Sequence, residues 1–526
     1  MGLLSQPGHG KSSLPDELQL SPLGGDLIDV DHAFNCNTAQ DTADMHRLGK
    51  NQELKRNFSL ISTLGFISIY MATWEFVLLS LGLGLVNGGF GGLFWTFILT
   101  VTCYASVVAS LAEMESMAPT SGGQYHWVSE FAPASCQRFL SYTTGWMSTL
   151  GWLASTTSTL FVCASLVQSL VEITYKDFVF VNWEYTLIAL AFISIMIPCN
   201  TWWVETLPVL ETVSLVGHLV GVLIVVITLW VMCPKNSVAE VFTAVVDNGG
   251  WGNVGLSCLV GQTSVLYCNL GSDSAVHISE EVSDASLTVP RVMWWSFLMN
   301  TALGIITLIT MLFCIGSLED AIAAEVPYLQ LFLNTGSTHV ALALTIILLV
   351  LVMAGNITTL ATTSREVFAF SRDRGFPFSA WLSRIETKRH VPFNAVYATA
   401  FWSGMLCLIN LGSTFAFETI VSLTLLALLS TYMLSIGCIL RKRLCGDPLP
   451  PARWGLGRLG LPVNIFAFVY SGFAMVFSCF PVGVPINTST ANWAPAVWAG
   501  VILLSFLSYI VHGKNQFTAP VMFIQR

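Results

Sequence analysis

From about residue 60 to residue 512 the chain alternates long apolar runs with short polar or Pro/Gly-rich breaks. The runs fall near 60–85, 91–113, 139–171, 184–200, 207–232, 254–277, 292–316, 338–363, 393–411, 414–440, 463–482 and 494–512. A helix crosses a hydrocarbon layer with about 17–25 mostly apolar residues, so each run is a candidate span. The pattern predicts an all-α polytopic membrane protein with twelve transmembrane helices. Composition agrees: 54% of the residues are hydrophobic and 10% are charged, against about 25% charged in soluble domains. A soluble multidomain enzyme is excluded, and 12% aromatic content excludes a disordered chain.

Before Phe58 the chain is polar and has no apolar core of a cleavable signal. Residues 1–56 are therefore expected as a disordered cytoplasmic tail, 57–513 as the transporter domain and 514–526 as a second cytoplasmic tail. With the amino terminus inside, Lys176 and Lys235 alone fall outside, and the rest of the 22 Lys and Arg lie inside. That asymmetry is a positive-inside signature placing both termini in the cytoplasm. The net charge of −9 sums over two sides of a bilayer, and nothing points to nucleic acid. The thirteen cysteines lie mostly in apolar runs and contain no Cys-x-x-Cys pair, as packing residues would. The sequence calls for no cofactor and no metal.

A carboxylate at a helix centre costs about 2.5–3.5 kcal/mol on insertion scales, so each one asks for a partner or a watery cavity. Glu75 sits in Met71-Ala72-Thr73-Trp74-Glu75-Phe76, in the middle of the first run. It either lines a site or bonds a neighbouring helix. His218 is the one histidine deep in an otherwise apolar run. It is either a proton carrier or a neutral packing group. Glu418, near the start of run ten, is a second candidate. The sixth run ends in Tyr267-Cys268-Asn269-Leu270-Gly271-Ser272-Asp273, whose polar and small residues argue against a continuous lipid-facing helix. Interrupted spans at positions one and six are what two five-helix repeats produce, and such breaks mark a transporter's binding site. The other reading of the second break is a simple span end.

Three stretches resemble the amino acid, polyamine and organocation permeases, in particular the fungal branch handling amino acids, gamma-aminobutyrate and choline. They are Leu111-Ala112-Glu113 through Pro119-Thr120-Ser121-Gly122-Gly123-Gln124-Tyr125, Asp273-x-x-x-His277-x-Ser279-Glu280-Glu281, and Ser364-Arg365 through Phe368-Ala369-Phe370-Ser371-Arg372-Asp373-Arg374-Gly375-Phe376-Pro377. The resemblance implies a leucine-transporter-like fold: two inverted five-helix repeats plus two helices, with substrate held between the breaks. Carried over, Ala72 and Thr73 occupy the first break, and Gly271, with Tyr267 as a gating aromatic, the second; together with Trp74, Glu75, Asn269 and Ser272 they are the substrate-binding candidates. Ser272 stands where the family usually has Tyr or Phe. Asp273, Glu280, Glu281 and His218 are the gating or proton-coupling candidates. Arg365 and Arg372 are expected to pair with Glu113, Glu115, Glu280 or Glu281, as structural pairs or as an inner latch.

The leading expectation is a secondary transporter, coupled to protons, that imports a small amine or amino acid by alternating access. No Walker-type Gly-x-x-x-x-Gly-Lys-(Ser/Thr) motif appears. A nutrient sensor with a transporter fold is the alternative, although such proteins need larger cytoplasmic extensions than these tails. An embedded enzyme would have only His277, Asp273, Glu280 and Glu281 to work with. Trp74, Tyr70 and Tyr267 would supply an aromatic cage if the substrate were quaternary. The plasma membrane is the expected location, the vacuolar membrane the alternative.

Overall fold

In the computed structural model, which describes residues 37–520 except 176, 177, 179, 325, 413, 414 and 488–490, the first apolar run forms two helices. The major helices are α1 (Ala39–Arg47), α2 (Leu60–Met71), α3 (Thr73–Ser80), α4 (Gly82–Met117), α5 (Gly123–Phe131), α6 (Gln137–Thr174), α7 (Asn182–Asn200), α8 (Leu207–Met232), α9 (Val254–Asn269), α10 (Ala285–Cys314), α11 (Thr338–Arg372), α12 (Phe393–Cys407), α13 (Ala416–Cys445), α14 (Gly460–Phe477) and α15 (Ala494–Ser508). Among the described residues eleven helices are long and apolar enough to cross a membrane, with Leu60–Ser80 counted as one. The expected span at 254–277 is not among them. Its helix α9 stops after 16 residues, and 3₁₀ turns at Ser274–Val276 and Ser279–Glu281 follow.

Each break has a local cause. Ser59 caps α2 through a reciprocal bond with Ser62, and the helix runs until Ala72 turns left-handed at φ 39° and ψ 41°. That conformation is strained for a residue with a Cβ, and it frees backbone groups inside the bundle. One is taken up at once: the Thr73 amide donates to Oδ1 of Asn300 on α10 at 3.3 Å. At the second break Gly271 has φ 93°. Here only glycine fits, because a Cβ would lie 1.7 Å from Cε1 of Tyr70.

The bundle is held by close backbone approaches as much as by apolar side chains. A Cβ on Gly65 of α2 would come within 2.4 Å of the Glu211 carbonyl on α8, and one on Gly355 of α11 within 2.8 Å of the Ile69 carbonyl. Small residues thus wedge the broken helix between α8 and α11, the usual device where lipid gives no hydrophobic drive to helix pairing. Helix α8 shows the resulting inside-out pattern. Val209, Val213, Val216, Val220, Leu223 and Ile227 are exposed along one face, while Glu211, His218, Gly221 and Val225 are buried along the other.

Part of the segment expected as a disordered tail is structured. Thr38 and Asp41 form a capping box at α1, and the Asp41 carboxylate accepts from the amides of Asp284 (2.9 Å) and Ala285 (3.1 Å), where α10 begins. Arg56 stands 3.4 Å from Asp41. Residues 57 and 58 then donate to the Glu281 carbonyl. At the other end, Phe517 and Ala519 are buried against Tyr142 and Phe370.

Candidate functional site

The first break aims its polar residues at α8. Glu75 lies in the first turn of α3, and its Oε1 is 2.8 Å from Nδ1 of His218; both side chains are fully buried. The indole Nε1–H of Trp74 reaches the same Nδ1 at 3.0 Å. A ring nitrogen carries either one hydrogen or one lone pair, so Nδ1 can donate to Glu75 or accept from Trp74, but not both at once. Glu75 and His218, expected in separate roles, are therefore partners. Glu211, two helical turns before His218 on the same buried face of α8, accepts from the Thr358 hydroxyl of α11 at 2.8 Å. Sequence reasoning missed it, because an acid four residues into a run reads as an interfacial charge.

Between the breaks, two tyrosines are tied to consecutive turns of α6. Tyr70 Oη is 2.7 Å from Ser155 Oγ, and Tyr267 Oη donates to Ser158 Oγ at 2.8 Å. Tyr70 packs on Trp152, Tyr267 on Phe76 and Phe417, and Trp74 on His218. The three rings named as a cage thus have different partners. Thr73 Oγ1, Asn269 Oδ1 and Ser272 Oγ are buried without a hydrogen-bond partner among the described residues. A buried polar atom left unpaired costs about 1–3 kcal/mol, so each of these atoms is a point where a solute or water is favoured. Asp273 faces elsewhere: Tyr432 donates to one of its oxygens at 2.8 Å and Gln124 to the other at 2.5 Å.

The three resembling stretches meet at one end of the bundle as a dense set of ion pairs. Arg372 grips Glu280 with two parallel bonds of 2.8 and 2.7 Å, and Arg365 Nε donates to Glu281 at 2.7 Å. Burial by itself would raise the Glu280 carboxyl, but the Arg372 guanidinium outweighs it and holds the group below its ordinary value. Glu113 pairs instead with Arg443, and neither oxygen of Glu115 has a hydrogen-bond partner among the described residues. Lys50 bonds Asp373, and Arg47 reaches Glu130 at 3.3 Å, so the segment before α2 is stitched to the same end. His277 completes the set, with Nδ1 3.0 Å from both the Ser121 carbonyl and Glu366. Asp41, Lys50, Tyr70, Glu366 and Tyr432 carried no signal that sequence reasoning used for these contacts.

The model of the family described as "Amino acid permease" matches residues 58–504. The chain belongs to the amino acid permease family. An uncharacterised amino-acid permease of Schizosaccharomyces pombe is 29% identical over 484 residues, 90% of this chain and 88% of that one. An Arabidopsis thaliana amino-acid permease is 26% identical, covering 91% and 95% of the two chains. A Saccharomyces cerevisiae choline transporter is 24% identical, covering 89% and 83%. Among solved structures, the manganese transporter of Eremococcus coleocola, crystallised with an aromatic bis-isothiourea substituted compound, superposes with a TM-score of 0.53. It shares 12% identity across 88% of the permease and 95% of its own chain, which shows the fold. This permease is thus an integral multi-pass membrane transport protein with the expected leucine-transporter-like fold, and not an enzyme.

Proposed function

We propose that the permease is a proton-coupled importer of a small nitrogenous solute: an amino acid, gamma-aminobutyrate or choline. In this reading the end rich in Arg and Lys faces the cytoplasm, both termini lie inside, and the protein resides in the plasma membrane. Relatives named for amino acids and for choline support that range of substrates. The observation that carries the coupling is the Glu75–His218 pair, buried between the helix that follows the first break and an intact neighbour.

A proton on Nδ1 holds the ring to the Glu75 carboxylate, and without it Nδ1 takes the Trp74 N–H. Whether Nδ1 carries a hydrogen, in the imidazolium or the Nδ1–H tautomer, therefore selects which of two adjacent residues of α3 is tethered to α8. Moving α3 changes the room at the first break, next to Thr73, whose buried hydroxyl has no partner among the described residues. Glu211 is the next carboxyl along the same face of α8, on the side of the helix start, and offers the proton a way towards the cytoplasm.

The test is uptake of labelled amino acids, gamma-aminobutyrate and choline by purified permease in liposomes, with and without an inward proton gradient. Gradient-driven accumulation of one compound is expected. His218→Asn and Glu75→Gln should abolish accumulation while leaving exchange of substrate down its own gradient. Accumulation unchanged in both variants would remove the pair from coupling.

A further inference from the structure

A cavity of about 270 Å³ opens at the end of the bundle away from the ion pairs. Its wall includes Ser80 at the end of α3, Tyr185 near the start of α7, and Phe417, Glu418 and Ser422 at the start of α13. Arg443, bound to Glu113, lies at the far end of that same helix, about 37 Å away at 1.5 Å per residue. Tyr267 is part of the cavity wall, clamped edge-on between Phe76 at 5.4 Å and Phe417 at 6.0 Å. Four residues beyond Tyr267 the chain reaches Gly271 and the second break.

The lining has a one-sided chemistry. Among its described residues Glu418 is the only charged side chain, and no Lys, Arg or His joins it. No described cation forms an ion pair with Glu418. The tyrosine hydroxyls are already committed: Tyr185 donates to the Phe161 carbonyl, Tyr267 to Ser158 and Tyr328 to Ser169. Asn492 likewise spends its amide on the carbonyls of Ser478 and Phe480. Beside the uncharged hydroxyl residues Ser80, Ser165, Thr263, Ser264, Thr419 and Ser422, the wall presents ring surface and one carboxyl. Aromatic faces attract a cation, and a desolvated carboxyl needs one. A substrate carboxylate would find no charged donor. The volume suits a small solute, below the range of drug-sized pockets.

We propose that Glu418 anchors a binding site for an organic ammonium ion in this cavity, a loading site that takes the cationic head before Tyr267 lets it pass to the breaks. The site rests on the reading above in placing this end outward. It narrows the substrate class to solutes whose cationic amine is recognised first, with or without a carboxylate.

The experiment uses Ser422→Cys, one turn from Glu418 and on the cavity wall, in purified permease reconstituted in lipid nanodiscs. Modification of the introduced thiol is followed by peptide mass spectrometry with two thiol reagents of similar size, one a trimethylammonium and one a sulfonate. A charged site focuses counter-ions by tenfold or more, so the cationic reagent should react at least tenfold faster, relative to each reagent's rate with a free thiol. Glu418→Gln should erase that preference, and Glu418→Asp should keep it. Tetramethylammonium should slow the reaction, and acetate should not. A preference absent with Glu418 in place, or unchanged in Glu418→Gln, overturns the proposal. So does lack of protection by tetramethylammonium, which needs no variant at Glu418 to fold. Labelling requires neither transport nor a proton gradient. A preserved preference without gradient-driven uptake would therefore sink the coupling reading alone, and gradient-driven uptake without the preference would sink only this site.

Discussion

Nδ1 of His218 lies 2.8 Å from Oε1 of Glu75, with neither side chain reached by solvent. Removing one member of such a buried pair leaves the other uncompensated, which costs about 3–5 kcal/mol, whereas removing both costs far less. Glu75→Gln/His218→Asn should therefore lose less stability than Glu75→Gln and His218→Asn lose in sum. Thermal melting of the purified variants in detergent checks this, and strictly additive losses would argue against a coupled pair.

Gly271 is the position with the least tolerance in the second break. Gly271→Ala meets both the positive φ and the Tyr70 ring 1.7 Å from its new Cβ. Loss of most monodisperse protein on size exclusion is expected. Adding Tyr70→Ala should recover part of the yield by removing the collision, while the backbone strain of about 1 kcal/mol stays.

The Arg372–Glu280 pair joins two of the family stretches; it is bidentate, with Glu280 buried and Arg372 partly so. Reversing either charge alone should lower uptake at least tenfold, and exchanging the two should restore much of it. Absence of rescue would leave the pair a structural contact and not a latch.

The same pair has a pH signature. Glu280 is held below its ordinary value in the folded protein, chiefly by Arg372 acting against burial. A depressed carboxyl binds its proton less readily when folded, so it adds stability above the unfolded value of about 4.3 and loses it as pH falls through the folded one. The melting difference between wild type and Glu280→Gln should be constant from about pH 5 to 8 and shrink only in stronger acid. A difference that changes near neutrality would contradict this.

Asp41 caps the start of α10 from a segment far away in the chain. Asp41→Ala should destabilise the protein by about 1 kcal/mol, as loss of an N-cap does. It also strands Arg56, so Asp41→Asn should be milder in a melting experiment.

The spans were readable because apolar runs of membrane length have few other uses, and their number differed only where α9 gives way to irregular backbone. The same argument exposed Glu75 and His218: a titratable group in an apolar run stands out against its neighbours. It could not say that the two meet, because 143 residues separate them and the packing of α2 against α8, with α3 continuing from α2, brings them together. Ala72 was placed at the first break by the family resemblance alone, since nothing local favours a left-handed alanine. That conformation is held by the contacts of the whole bundle, with Asn300 bonding the Thr73 amide next to it.

The order of apolar and polar residues by itself determined the solvent this chain folds in, the approximate spans of its helices and the loops that gather the basic residues, because those depend on transfer energies summed over each segment. Tertiary structure alone decided which carboxyl pairs with which base, that Glu418 faces a cavity and that residues 37–56 dock on the ion-paired end. Such pairings depend on distances of a few ångströms between residues remote in sequence, and a composition average carries no record of them.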